Sequence, residues 1–177
     1  PDLIISVSYR YKIPSNVLKK CKYQGFNLHP SLLPHYKGCN SVMRSMINNE
    51  KYTGFTYHYL TNEFDKGNII FQKKIKILDY ELLCQLYYRV MFESLKKLNF
   101  AINYSLSRKK GSKQKEVTIN NYFSRKLPFN GNIDNKWDEE TIKRFIKSLI
   151  FPPLKSALYK NKPVNNFNIF KKLRNNK

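Results

Sequence analysis

Asn27, His29 and Asp65 are the residues of this chain whose types and spacing could perform chemistry. Asn27-Leu28-His29 reads as a strand end, where residues two apart project from one face, so a carboxamide and an imidazole stand side by side. Pro30 halts the strand immediately afterwards. Asp65 lies in Phe64-Asp65-Lys66-Gly67, which reads as a tight turn between two further strands. If those strands neighbour the first, Asp65 can reach His29, raise its basicity and fix its tautomer, while Asn27 donates to a developing oxyanion. The chemistry is acyl transfer without a covalent enzyme nucleophile, provided an amine substrate attacks directly. An ordinary strand end and an ordinary Asp-x-Gly turn have the same appearance, so the residues alone leave both readings open.

Hydrophobic period defines the elements that must position them. Residues 3–7 are a nearly unbroken, β-branched apolar run, the pattern of a strand covered on both faces. A short helix over 15–20 and a second strand over 25–28 complete a βαβ unit. Open parallel sheets bind ligands beyond the carboxyl ends of their strands, which is where Asn27 and His29 fall. The Pro-bounded, Gly-ended loop from Ser31 to Gly38 is expected to expose apolar residues as a wall for a flat ligand. Asn40 is placed to cap a helix through about Asn48, and residues 52–60 and 68–77 read as strands. Leu82, Leu83, Leu86, Val90, Leu95 and Leu98 recur at three- and four-residue steps, predicting one long amphipathic helix over 79–105.

A basic, Gly-containing linker covers 108–115. Asp138, Glu139 and Glu140 open a helix through Leu149, Pro152-Pro153 stop it, and 157–159 with 164–170 suggest a terminal hairpin. The fold class is α/β: a mainly parallel, twisted sheet with flanking helices, then a small α+β tail. The expected organisation is a core over 1–107, the linker over 108–115 and a C-terminal region over 116–177.

A length of 177 residues holds one domain, or one with a small appendage. With 41% hydrophobic and 15% aromatic residues the chain carries too much apolar surface to stay disordered. Cys21, Cys39 and Cys84 are widely spaced and unpaired in pattern, which argues against a disulfide framework or zinc knuckle and for a reducing, cytoplasmic setting. No metal site is expected. No apolar run approaches the ~18 residues of a membrane span, and no signal-peptide pattern opens the chain. The net charge of +21 suits polyanionic partners, but the basic residues are scattered rather than gathered in one stripe with exposed aromatics. That scatter reads as a compositional bias rather than a nucleic-acid surface, and a phosphate-bearing small substrate remains compatible with it. The chain opens on Pro1-Asp2-Leu3-Ile4-Ile5, already inside a strand pattern, and is expected to be a fragment.

Three linked motifs add a resemblance. The run from Asn27 through His29, Pro30, Ser31 and Leu32 to Gly38, then Thr53-Gly54-Phe55-Thr56-Tyr57-His58, then Asp65-Lys66-Gly67-Asn68-Ile69-Ile70 with Gln72, resembles the 10-formyltetrahydrofolate-dependent formyltransferases in order and spacing. The resemblance implies a Rossmann-like core, of which this chain carries the C-terminal part. It also implies Asn27, His29 and Asp65 as the catalytic set and 10-formyltetrahydrofolate as cosubstrate. Arg10, Tyr11, Lys12 and Ile13, with Asn62, Glu63, Phe64 and Asp65, would hold the folate ring.

The tail, with Phe129-Asn130-Gly131-Asn132-Ile133-Asp134, Trp137 and Phe151-Pro152-Pro153, is similar to that of the sugar N-formyltransferases. This implies a nucleotide-linked amino-deoxy sugar as acceptor, such as a dTDP-4-amino-4,6-dideoxyhexose, and a place in lipopolysaccharide O-antigen biosynthesis. A methionyl-tRNA formyltransferase-like enzyme, with tRNA as partner, is the alternative, as is an inactive or split fragment needing a separate N-terminal half. A homodimer is among the assemblies the resemblance allows.

Overall fold

A computed structural model of the chain describes residues 1–9, 11–117 and 122–175. Strand β1 (Ile5–Val7) leads through the single-turn α1 (Ser15–Leu18) to β2 (Phe26–His29), and the two strands run parallel, as a βαβ unit requires. After the short β3 (Lys37–Gly38) and helix α2 (Ser41–Ile47) come β4 (Tyr52–Tyr59) and β5 (Ile69–Lys76). The sheet order is β1-β2-β4-β5. The α/β class stands, but the described sheet is mixed, with one parallel and two antiparallel pairings where parallel ones were expected to dominate. The connection over 60–68 is a turn too short for the crossover that a parallel pair needs, so β5 must return antiparallel to β4.

Alternation on β4 divides the molecule into a core side and a site side. Phe55, Tyr57 and Tyr59 are fully buried on one face, where Phe26 meets Tyr57 edge-on at 5.7 Å and Phe55 lies 6.0 Å from Phe71. Helices α3 (Leu83–Leu95) and α4 (Leu98–Leu106) cover that side: the Tyr57 hydroxyl donates to the Ser94 carbonyl at 2.9 Å, and Phe100 sits 5.5 Å from Phe71. Gly54, Thr56 and His58 point the other way, toward loop 30–36 and the cavity described below.

The single helix expected over 79–105 is two. Lys97, at φ −115° and ψ 3°, interrupts the ladder. The Lys96 ammonium turns back to Glu93 while that of Lys97 lies 5.5 Å over the Phe71 ring. The break redirects α4 across the sheet, where Ser105 Oγ donates to the Gln24 carbonyl at 2.6 Å. A three-four apolar period runs on through one non-helical residue, so the break left no trace in the pattern.

Three further expectations are corrected. Strand β1 is not covered on both faces: it lies at the sheet edge, Ser6 is buried, and Ile5 and Val7 are 41% and 47% exposed. Asn40 does not cap α2; it adopts φ 59° and its amide donates to the Arg125 carbonyl at 3.3 Å. The hairpin of β7 (Ala157–Tyr159) and β8 (Lys162–Val164) ends at Val164, and the residues read as its second strand enter helix α6 (Phe167–Asn175). The Asn166 carboxamide oxygen accepts the Ile169 N–H at 3.0 Å and Phe170 is buried, a cap and an apolar face that outweigh the strand propensity of Asn-Phe-Asn-Ile-Phe.

The acidic start of α5 (Glu139–Ser148) behaves as read, with Asp138 Oδ1 accepting the Thr141 N–H at 2.8 Å. Strand β6 (Tyr122–Phe123) pairs with β3, bringing the C-terminal region beside the site. Ser112 exchanges backbone hydrogen bonds with Ile69 at 2.7 and 2.8 Å, so segment 108–115 extends the sheet margin. Among the described residues no helix is long and apolar enough to cross a membrane.

Candidate active site

The register of β2 and β4 sets the geometry. Asn27 lies opposite His58 and His29 opposite Thr56, so all four side chains share the face away from the aromatic core. Thr56 organises what lies above it: its hydroxyl donates to the Ser31 carbonyl at 2.7 Å and accepts from the Leu33 N–H at 3.2 Å and the Gln72 amide at 2.8 Å. This fixes loop 30–36 with Leu33 only 3% exposed and Pro34 buried. The loop therefore does not offer Leu33 and Pro34 as an apolar wall, as its composition suggested, because Thr56 and Gln72 draw its backbone down onto the sheet.

His29 is buried, and its Nε2 lies 2.8 Å from the Tyr36 carbonyl oxygen. A carbonyl can only accept, so the neutral ring carries its proton on Nε2 and keeps its lone pair on Nδ1. That Nδ1 is 3.5 Å from Asp65 Oδ1. The tautomer is thus set by a backbone carbonyl and not, as expected from sequence, by the aspartate. Tyr36 is itself anchored by its hydroxyl, which donates to Glu50 at 2.7 Å. Burial, then the bond to Glu50, pushes the Tyr36 phenol up to about 12. Burial is also the main cause of a lowered His29 pKa, partly opposed by the Asp65 charge and the Tyr36 carbonyl, so the imidazole is neutral at pH 7.

Asp65 occupies the left-handed region at φ 54°, a conformation Asp tolerates, between β4 and β5. Burial would raise its pKa, but interactions with the neighbouring His58 and His29 rings and the Gly38 amide outweigh it and hold the carboxyl below its ordinary value. Two glycines permit this. Gly38 donates its N–H to Asp65 Oδ2 at 2.8 Å from φ 83°, where a Cβ would strike the Phe123 carbonyl. Gly67 passes so close to the Tyr59 carbonyl that a Cβ has no room. Gln114 completes the clamp, its amide donating to the carbonyls of Asp65 at 2.8 Å and Gly67 at 2.9 Å.

His58 is the residue that the sequence reading quoted in a motif without assigning it to the site. Its Nε2 is 3.1 Å from Asn27 Nδ2 and 3.4 Å from Asp65 Oδ1, and its Nδ1 is 3.0 Å from the Tyr59 carbonyl oxygen. With the Nδ1 proton committed to that carbonyl, Nε2 accepts from Asn27 while neutral or donates to Asp65 when protonated, but not both. One Asp65 oxygen therefore stands between two imidazoles. The alternation of β4 carried the signal, since His58 shares parity with Thr56 and lies on the strand that had to neighbour Asn27.

Asn27, His29 and Asp65 converge, with His58, on a cavity of about 610 Å³. Tyr11, Lys12, Ile13, Glu63 and Phe64 also line it, whereas Asn62 faces an adjoining cleft. Arg10 lies outside the described residues. Tyr9 and Tyr11 are 58% and 68% exposed and meet edge-on at 5.9 Å, so they are pocket wall and not core. Aromatic and aliphatic sides with a polar floor suit a flat heterocycle whose reactive atom meets a base and an amide donor. No group of metal-ligating side chains is present among the described residues.

This chain belongs to the formyl transferase family: residues 1–102 match the family model of that description. It is 40% identical over 160 residues to the GDP-perosamine N-formyltransferase of Brucella melitensis, covering 90% of this chain and 61% of that protein. It is 37% identical over 91 residues to the methionyl-tRNA formyltransferase of Thermotoga neapolitana, covering 51% of this chain and 29% of the relative. The N-formyltransferase of Helicobacter canadensis, solved in complex with folinic acid and dTDP-3-aminofucose, superposes with a TM-score of 0.77 at 25% identity, over 91% of this chain and 60% of that one. The chain thus spans about three fifths of the curated sugar-modifying relative it matches.

Proposed function

We propose that this chain carries the catalytic centre of an enzyme that moves a formyl group from 10-formyltetrahydrofolate to the amine of a nucleotide-linked amino-deoxy sugar, in the cytoplasm. The convergence of Asn27, His29 and Asp65 on the 610 Å³ cavity beside residues 11–13 carries this reading. Bound there, the folate supplies an activated formyl carbon. Tyr11, Ile13 and Phe64 would grip the flat ring, with Lys12 and Glu63 at its margin and Asn62 in the adjoining cleft. One Asn27 N–H is spent on His58, and the other is free for the oxygen that gains charge as the amine adds. His29 would accept the amine's proton on Nδ1, and the resulting imidazolium would be held between the Tyr36 carbonyl and Asp65; as the adduct collapses, the bond from the formyl carbon to the folate N10 would break and that proton would pass to N10 of the departing tetrahydrofolate. While neutral, His58 orients Asn27 by accepting its N–H on Nε2.

A sugar acceptor is favoured over methionyl-tRNA because the likeness to the GDP-perosamine enzyme runs through the tail, over 90% of the chain, while that to the tRNA enzyme covers 51%. Incubation with 10-formyltetrahydrofolate and a panel of nucleotide-linked amino sugars should yield a product heavier by one formyl group. Formylation of methionyl-tRNA alone would reverse the acceptor assignment, and no transfer to any amine by a folded chain that binds folate would refute the reaction.

The lowered His29 pKa also fixes a pH dependence. Because burial disfavours the imidazolium, the base form persists below the ordinary histidine value, and the acid limb of kcat/KM is expected below pH ~6.5. A limb centred above that value in steady-state rates would contradict His29 as the base.

A further inference from the structure

Beside the catalytic cavity lies a second, wider cleft of about 1140 Å³, to which Lys12, Lys37, Lys66, Lys113 and Lys115 contribute against only Glu63 and Glu116. Glu63 is already paired with Lys66. Among the described residues none of the other four lysines lies within ion-pair distance of a carboxylate, and although the Glu63 charge is felt at Lys12 and Lys37 the cleft keeps an excess of positive charge. A basic composition explains lysines everywhere on the surface, but not their convergence in one concavity from four separate segments. Nor does it explain the lowered Lys37 pKa, caused first by burial and then by the nearby Lys66 charge. Lysines so crowded are electrostatically costly until an anion joins them.

The cleft is continuous with the proposed folate cavity, sharing Lys12, Glu63, Phe64 and Tyr122. Phe64 and Tyr122, with ring centroids 6.3 Å apart, stand on that shared border. A folate ring held by residues 11–13 and 63–65 would therefore direct its benzoyl-glutamate end across this border or out to solvent. That end carries two carboxylates, and each γ-linked glutamate added to it brings a net one more at a peptide-like spacing. Lysines distributed along an elongated cleft match such a series of separated charges better than they match a diphosphate, whose charge is concentrated at one point.

We propose that this lysine-lined cleft binds the glutamate tail of the folate cosubstrate, so that the enzyme discriminates in favour of polyglutamylated folate. The inference rests on the folate reading above and extends it. Lys113 and Lys115 act on the tail alone, since they line the cleft and not the catalytic cavity. They change how strongly the cosubstrate is held, through a contact equal in ground and transition states, so KM moves and kcat does not.

Binding of 5-formyltetrahydrofolate, as the monoglutamate and as the pentaglutamate, can be measured by calorimetry on the full chain and on a Lys113→Gln/Lys115→Gln double variant. The pentaglutamate is expected to bind roughly tenfold more tightly at low ionic strength, and the advantage should shrink to about two- to threefold in the double variant and with added salt. Monoglutamate affinity should fall by much less than pentaglutamate affinity. Equal binding of the two folates by the unaltered chain would overturn the inference and leave the folate site standing. Binding of neither would defeat the folate reading and the inference with it. If the double variant instead loses affinity for the nucleotide sugar and keeps its preference among folates, the cleft belongs to the acceptor's diphosphate and the inference is wrong.

Discussion

Replacing His29 with alanine is expected to lower kcat by ~10²- to 10⁴-fold while leaving the KM for folate within a few-fold, because a general base acts in the transition state and the ring lies on the floor of the cavity. The substitution also leaves the Tyr36 carbonyl without its donor, so some loss of stability should accompany it. His29→Gln separates the two effects, since its amide nitrogen stands near the place of Nε2 and can still donate to that carbonyl yet cannot accept a proton. The glutamine variant should fold like the unaltered chain and remain as slow as the alanine variant. Asp65→Ala combined with His29→Ala should be little worse than the poorer single change, because a carboxylate that stabilises an imidazolium has nothing to stabilise once the imidazole is gone. Unaltered kcat in His29→Gln, measured under saturating substrates, would remove His29 from the mechanism.

The largest expected effect on stability comes from Phe55→Ala, at about 3–5 kcal/mol in chemical denaturation. Phe55 is fully buried, edge-on to Tyr57 at 5.7 Å and tilted against Phe71 at 6.0 Å, on the strand face away from the site. Its removal opens a void in the close-packed aromatic face of the sheet. Phe92→Ala provides the contrast: that ring is 64% exposed on α3 and should cost less than ~1 kcal/mol. A cost below 1 kcal/mol for Phe55→Ala would mean that the aromatic layer is not the core of the protein.

What the sequence made legible here was local and periodic. The Asn27/His29 pairing followed from strand parity, and the α5 start followed from three consecutive acids. The sheet order was less accessible, because whether β4 lies parallel or antiparallel to β2 depends on the path of loop 30–36, which Thr56 and Gln72 fix from a distance. His58 went unassigned for the same reason: only the cross-strand register places it opposite Asn27. Gln114 was read as part of a polar linker, and nothing within several residues of it hints that its amide clasps the turn around Asp65. The break at Lys97 and the helix at Phe167 mark a different limit, where one residue's backbone or one capping side chain decides against the prevailing pattern.

That clasp has a consequence for how the protein matures. Gln114 reaches Asp65 across 49 positions of the chain, while Asn27 and His58 meet across 31. Contacts so distant in sequence close late, after the loop-closure entropy between them has been overcome. Every partly assembled form of the chain, however much helix and hairpin it already has, therefore lacks the poised carboxylate and is catalytically silent. Recovery of turnover during refolding should trail recovery of secondary structure, which makes activity itself a reporter of the final long-range closure.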